Sequence, residues 1–259
     1  MKMSDNLYPL FDAIEERHWW FMGRKEVLFC LLDKFNNLGK NPKYLDIGCG
    51  TGAILKKLEN YGQAIGVDIS EEAIEYCRKK GCRDVRKMNE GNLPFLSEEF
   101  ECLLSFDVIE HIEDDARELA EYYRILKPGG IMILTVPAYM WLWSAHDDIN
   151  RHRRRYTSKL LKIRLLCAGF KIERLTYFST FLFPIIVLVR VMVALLDKYF
   201  GIRKDGFDFH IPASFLNRLL TRVFSAESRW LINRDFPFGS SLLVVCRKED
   251  RHGQKRAKS

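Results

Sequence analysis

From His146 to Tyr156 the chain reads HDDINRHRRRY, bringing His146, Asp147, His152, Arg153, Arg154, Arg155 and Tyr156 within eleven residues. Histidine changes charge near neutral pH, so His146 or His152 suits a general base that deprotonates an oxygen or nitrogen nucleophile. Guanidinium groups offer paired donors, and Arg154 with Arg155 suits a clamp for a phosphate or carboxylate. Two histidines with Asp147 are a third option, a metal set, but no spacing enforces ligand geometry and no metal is expected. A solvated, hydrogen-bonded loop accounts for Arg151 and Arg153. His111, in VIEHIED, is a further candidate base, ranked behind the other two.

A second constellation is LDIGCGTG, residues 45–52. Gly48, Gly50 and Gly52 form a turn whose backbone approaches a ligand where side chains would block it. Asp68 lies 22 residues beyond Asp46, where a carboxylate binds two ribose hydroxyls. Gly48-x-Gly50-x-x-Ala53 also satisfies a dinucleotide fingerprint, a weak signal alone. Asp46 separates the readings. A carboxylate two positions before the first glycine repels a pyrophosphate and attracts an ammonium. S-adenosylmethionine carries an ammonium, a carboxylate and a sulfonium without phosphate, so the ligand chemistry favours the methyl donor over a nicotinamide dinucleotide.

The elements that must position these groups alternate. YLDI and QAIGVD read as strands, AILKKLENYG and EEAIEYCRKKG as the helices that follow them. FECLLSFDVI (100–109) and GGIMILTVP (129–137) are further buried strands, separated by the helix DDARELAEYYRIL and a KPGG breaker. Such alternation predicts a parallel sheet with right-handed crossovers. The His/Arg loop leaves a strand at its carboxyl end, the edge where open parallel sheets bind ligands. Thr157 then caps a helix over SKLLKIRLLCAG that ends at Gly169. FKIERLTYF (170–178) and GSSLLVVCRK (239–248) read as the last two strands.

With these stretches in order, LDIGCGTG, GVDISEEAIEYCRKKG, NLPFLSEEFECLLSFDVIEHIED and LKPGGIMILTVP, the sequence resembles the class I S-adenosylmethionine-dependent methyltransferases over about residues 44–137. The resemblance is to the small-molecule and lipid-type group, and the loop pattern W-S-x-H-D-x5-H-x-R-R-Y-T resembles one subgroup of it. It implies an α/β, Rossmann-like seven-stranded methyltransferase sheet, with the last two strands antiparallel, and S-adenosylmethionine as cofactor. It further implies that Asp46, Gly48, Cys49 and Gly50 surround the methionine part, that Asp68 holds the ribose with Ile69 against the adenine, and that Phe106 lies near the sulfonium. Where the family usually has an Asp for the adenine amino group, Asn89 stands here, and its amide oxygen accepts the same bond. Similar enzymes have an N-terminal helical cap, here residues 1–40. In it Trp19, Trp20 and Phe21 are expected to bury apolar area against the core, while Arg24 reaches the cofactor carboxylate. Trp143, Asp147, Arg154, Arg155 and Tyr156 are expected to contact substrate.

The chain of 259 residues is 47% hydrophobic and 29% charged, which excludes a disordered protein. Seven scattered cysteines without a CxxC pair point to reduced thiols in the cytoplasm, and no secretory signal is visible at the start. Residues 1–150 carry 18 Lys/Arg and 26 Asp/Glu, whereas residues 151–259 carry 23 and 8, so the second half is strongly basic. That half holds FSTFLFPIIVLVRVMVALL, residues 178–196, long enough to cross a bilayer. A single crossing would place the last two strands of one sheet on opposite sides of the membrane. Arg190 would cost about 2.5–3.5 kcal/mol at the centre of a span, and Pro184 would kink it. The next helix, 213–232, sets Phe215, Leu216, Leu219, Leu220, Val223 and Phe224 on one face and Arg218 with Arg222 on the other, as in helices that lie flat in an interface.

The organisation expected is therefore a cap (1–40), a methyltransferase core (41–178), an apolar and basic helical insertion (179–237), the last strand (238–248) and a disordered basic tail (249–259). The function expected is methylation of an amphiphilic, acidic, lipid-linked or otherwise apolar substrate, with peripheral contact at the inner membrane face. The rivals are a soluble small-molecule methyltransferase whose insertion is only a lid, an RNA methyltransferase, and a non-catalytic cofactor-binding regulator. Nucleic acid is disfavoured by the apolar insertion and by the lack of an added RNA-binding module.

Overall fold

A computed structural model describes residues 7–200 and 210–249. Along the chain run α1 (Leu7–Ile14), α2 (Trp19–Phe35), β1 (Lys43–Ile47), α3 (Ala53–Leu58), β2 (Gln63–Asp68), α4 (Glu71–Lys79), β3 (Val85–Lys87) and β4 (Phe100–Phe106). There follow α5 (Asp115–Ile125), β5 (Leu126–Pro137), α6 (Ala145–Ile149), α7 (Ser158–Cys167), β6 (Lys171–Phe178), α8 (Phe183–Phe200), α9 (Ser214–Leu231) and β7 (Ser241–Arg247). The strands make one seven-stranded sheet in the order β3-β2-β1-β4-β5-β7-β6. All pairings are parallel except those of β7, which runs antiparallel to β5 and β6. This is the Rossmann-like methyltransferase sheet. Strand order reverses between β1 and β4, which opens a crevice at their carboxyl ends.

The pleat sorts the strands into two cores. Leu45, Ile47, Val67, Leu103 and Leu134 face Tyr122 of α5 and Leu161 and Leu165 of α7. Tyr44, Cys102, Leu104, Ile133 and Val245 face Leu31 of α2, Leu55 of α3 and Phe224 of α9. Helix ends follow local chemistry: Ser70 accepts from the Ala73 amide at the start of α4, and Thr157 from the Leu160 amide at the start of α7.

Several expectations are corrected. KPGG does not break the chain, because β5 begins at Leu126 and absorbs the glycines at an irregularity opposite Phe100–Cys102. VRK (85–87) forms the edge strand β3, which has too little apolar pattern to be read. The apolar run 178–196 is divided: Phe178 ends β6, a turn follows, and α8 starts at Phe183. Pro184 sits in the first turn of α8, where it removes no intrahelical bond and so initiates the helix rather than kinking it. Among the described residues, no helix is long and apolar enough to cross a membrane.

Helix α9 also differs from its expected face. Phe224, Glu227, Ser228 and Leu231 are buried, while Phe215, Leu216 and Leu219 are exposed. The reason is its partner. A Cβ on Gly23 of α2 would lie 2.6–2.7 Å from the Phe224 ring, so glycine there lets α9 dock its second half on α2. Glu227 accepts from the Thr180 and Phe181 amides at 2.7 and 2.8 Å, which ties α9 to the approach of α8. The tail over 249–259 lies outside the described residues except for Glu249, as do residues 1–6 of the cap and 201–209 of the insertion.

Candidate active site

A cavity of about 640 Å³ occupies the crevice, within the range of small-molecule sites. Its floor is the glycine turn between β1 and α3. Gly48 has φ +70° and passes so close to Val108 that a Cβ would sit 2.5 Å from Val108 Cγ2. Gly50 has φ +52°, and the space where its Cβ would stand is open. Its amide donates to Asp68 Oδ2 at 3.0 Å, while Asp68 Oδ1 accepts from the Ser70 amide at 2.8 Å. The carboxylate at the end of β2 is thereby fixed beside the turn. Burial raises its pKa.

Asp46 is 3% exposed, and its Oδ2 has no hydrogen-bond partner among the described residues. Burial and then the Asp68 charge push its pKa up to about 7. A buried carboxylate oxygen facing an open turn is a ready acceptor for a cationic ligand group. Cys49, Ile69 and Phe106 line the same cavity. Arg24 lines it from α2, with its guanidinium 2.6 Å from Asp107 Oδ2 and 4.9 Å from the Trp20 ring centroid.

Asn89 does not join them. It is exposed, and its neighbours Met88 and Glu90 line the cavity instead. Trp19, Trp20 and Phe21 are half-buried: they pack against the apolar clusters, as expected, and line the cavity as well. The sequence reading missed Tyr8, which is buried at the wall near Asp68, and Glu15, whose carboxylate accepts from the Thr51 hydroxyl at 2.6 Å and pairs with Lys80. Those bonds lock the cap onto the glycine turn. Nothing in a lone tyrosine or glutamate in the first helix signals this from sequence.

The three histidines converge on one wall. His111 ends a 3-10 turn after β4, and His146 and His152 come from the loop containing α6. The ring centroids of His111 and His152 are 4.8 Å apart, and those of His146 and His152 are 6.1 Å apart. Burial, then the proximity of His152, push the His111 pKa down to about 4.

The expected substrate contacts split. Asp147 is fully buried and positions its neighbours, with Oδ1 2.8 Å from His152 Nδ1 and accepting from Arg155 Nε at 2.7 Å, while Oδ2 accepts from Arg155 Nη2 at 3.0 Å. Burial alone would raise its pKa, but His152 and Arg155 outweigh that and hold it well below the usual carboxylate range. Arg155 reaches the cavity wall, yet its Nη1 also donates to the Ala138 carbonyl, so all three guanidinium nitrogens serve the loop. Arg154 turns away and pairs with Asp115 at 3.2 Å and the Glu113 carbonyl at 2.8 Å. Tyr156 is buried with its hydroxyl on Asp115 Oδ2 at 2.9 Å. Trp143 donates to Asp148 Oδ1 at 3.0 Å, away from the cavity lining. All five are corrected to framework roles, because each finds its partners inside the fold.

The roof is the insertion. Leu182, Ile185, Ile186 and Val189 line the cavity from the α8 side, and Leu216 and Leu220 from α9. Arg190, the one charge in the apolar run, lines the cavity and donates from Nη1 to the Leu142 carbonyl of the His/Arg loop.

Residues 45–134 match the family model of the methyltransferase domain. These residues carry a methyltransferase domain. Its cofactor is S-adenosylmethionine, and Asp46, Gly50 and Asp68 offer the acceptors and the open backbone face that such a ligand needs. A probable S-adenosylmethionine-dependent methyltransferase of Mycolicibacterium smegmatis is 28% identical over 62% of this chain and 63% of its own length. A probable tRNA methyltransferase 9B of Homo sapiens is 32% identical over 48% of this chain and 26% of its own. The chain thus spans less than two thirds of either relative. Phosphoethanolamine N-methyltransferase 2 of Haemonchus contortus, solved with S-adenosyl-L-methionine, shares the fold of the methyltransferase domain at TM-score 0.59 and 18% identity, over 92% of this chain and 57% of that one.

Proposed function

We propose that the protein transfers the sulfonium methyl group to an amphiphilic acceptor, with an apolar tail under the insertion and an acidic head at Arg190, while the insertion rests on an anionic membrane surface. The observation that carries this reading is the double use of α8. Ile186 and Val189 face the cavity, whereas Leu188, Val191, Met192 and Leu195 are each about half-exposed on the outside. A roof for a polar substrate needs neither apolar surface, and exposed apolar area beside a basic half suits an anionic lipid interface. The head-group role moves to Arg190, which lines the cavity beneath the apolar roof, whereas Arg154 does not line it and Arg155 commits all three guanidinium nitrogens to the loop.

Sulfonium is a strong methyl donor, so alignment and exclusion of water supply most of what the reaction needs. Asp46 would hold the ammonium, Asp68 the ribose, and Phe106 the face beside the sulfonium. The histidine wall would meet the acceptor, with His146 available as base. The test is sedimentation with phosphatidylglycerol vesicles at low and high salt, joined to mass spectrometry of lipid extracts from cells with and without the gene. Pelleting at low salt with a methylated lipid-phase product supports the proposal. No pelleting at low salt removes the membrane contact and leaves the insertion as a lid. Tight, salt-sensitive RNA binding without a lipid product would move the assignment to RNA.

A further inference from the structure

Beneath the histidine wall lies a group that methyl transfer does not use. Glu110 is fully buried, and neither carboxylate oxygen has a hydrogen-bond partner among the described residues. One ligand atom each from Glu110, His111 and His152 lies within 4.8 Å of the others. Both histidines are also held by a bond to the rest of the protein. His152 Nδ1 sits 2.8 Å from Asp147 Oδ1, which leaves Nε2 for the cluster. A ring nitrogen of His111 bonds to the backbone of Arg151, a residue at φ +56° whose peptide is held in an unfavourable conformation for a non-glycine side chain.

We propose that Glu110, His111 and His152 bind a first-row divalent transition metal ion of the zinc and iron(II) class at the base of the cavity. Two imidazoles and one carboxylate with open positions are a recurrent donor set for such ions. Histidine ligands in these sites donate their second N–H to a carboxylate or a backbone carbonyl, and His152 with Asp147 has the first arrangement. Ligand atoms around such an ion lie about 3.4 Å apart, given bond lengths of about 2.1 Å, so the donors need only draw in modestly. The base reading of His152 explains its pairing with Asp147 but leaves the Glu110 carboxylate buried without purpose. A bound cation accounts for all three side chains. His111 and His152 line the cavity while Glu110 does not, so the open positions face the acceptor. The ion would fix a hydroxyl or amine of the substrate beside the methyl group. This site rests on geometry alone and stands whatever the acceptor proves to be.

The test uses the full chain, stripped with a chelator, dialysed, and titrated with zinc against a chromophoric competitor, then separately with cobalt(II). The expected result is one ion per chain, with a cobalt spectrum lacking the thiolate charge-transfer band that a site among Cys49, Cys77 and Cys82 would give. Affinity should fall at least tenfold in Glu110→Gln and in His152→Gln. Glu110→Gln removes a buried charge and keeps the shape, so an unchanged unfolding midpoint certifies its fold. Absence of stoichiometric zinc in the wild-type protein, binding that survives in both variants, or a thiolate band each overturns the proposal. Because the readout is metal binding, its failure is distinguishable from failure of the methylation reading.

Discussion

Replacing Asp46 by Asn separates the electrostatic role of this carboxylate from its shape. In the ligand-free protein the group is 3% exposed with Oδ2 unpartnered among the described residues, and its pKa stands at about 7 instead of 3.8. An acid whose folded pKa is raised destabilises the fold as pH climbs from its unfolded value to its folded one. Here that window runs from about pH 4 to about pH 7, and the displacement corresponds to about 4 kcal/mol at most. Asn does not titrate, so the ligand-free variant should gain stability relative to the wild type across that window. Cofactor binding should move the opposite way. A charge-assisted hydrogen bond contributes about 1.5–3 kcal/mol, so the variant should bind adenosylhomocysteine about tenfold to 150-fold more weakly at pH 8. Because the ammonium selects the ionised form, wild-type affinity should rise about tenfold between pH 6 and pH 8, and each binding event near pH 7 should release about half a proton. Calorimetry in two buffers of different ionisation enthalpy reads the proton release, and denaturant unfolding from pH 4 to pH 8 reads the stability difference. Equal affinity in variant and wild type, with the same pH profile, would refute the assignment of Asp46 to the ammonium. Uptake of nicotinamide dinucleotides in place of adenosylhomocysteine would refute the cofactor assignment itself.

Other outcomes follow from the same contacts. Leu188→Asp combined with Met192→Asp charges the outer face of α8 and should abolish vesicle pelleting while leaving adenosylhomocysteine affinity within about twofold, as read by sedimentation and calorimetry. Gly23→Ala places a methyl group into the Phe224 ring and should cost about 1–3 kcal/mol in chemical denaturation. Glu227 has its pKa raised from 4.5 to about 7 by burial despite backbone donors, so stability is lost as pH rises from about 4.5 to about 7. Glu227→Gln should therefore be more stable than wild type at pH 8, by about 3 kcal/mol at most, and gain nothing at pH 4.

Where the reading from sequence worked, the cause was local. The turn at Gly48–Gly52, the caps at Ser70 and Thr157 and the apolar strands each carry their own signal, so the sheet was legible apart from β3 and the start of β5. It failed where a side chain's direction depends on a distant partner. Arg154, Arg164 and Tyr156 all converge on Asp115, an acid in the first turn of α5 that their own segment does not contain. Asn89 was placed by analogy to an acidic residue, and the chain turns it outward while Met88 faces inward. Glu110 escaped notice because a glutamate beside a histidine in a turn looks solvated until the sheet closes over it.

The docking of α9 on α2 has a mechanical consequence. Trp19 N–H donates to Asn217, Asn217 donates to the Arg17 carbonyl, Cys30 Sγ lies 3.6 Å from the Ser228 carbonyl, and Phe224 fills the notch at Gly23. Segments some two hundred positions apart in the chain are thus riveted into a single shutter over the crevice. Lifting one leaf drags the other. Any widening of the crevice on this side would therefore have to move both helices together.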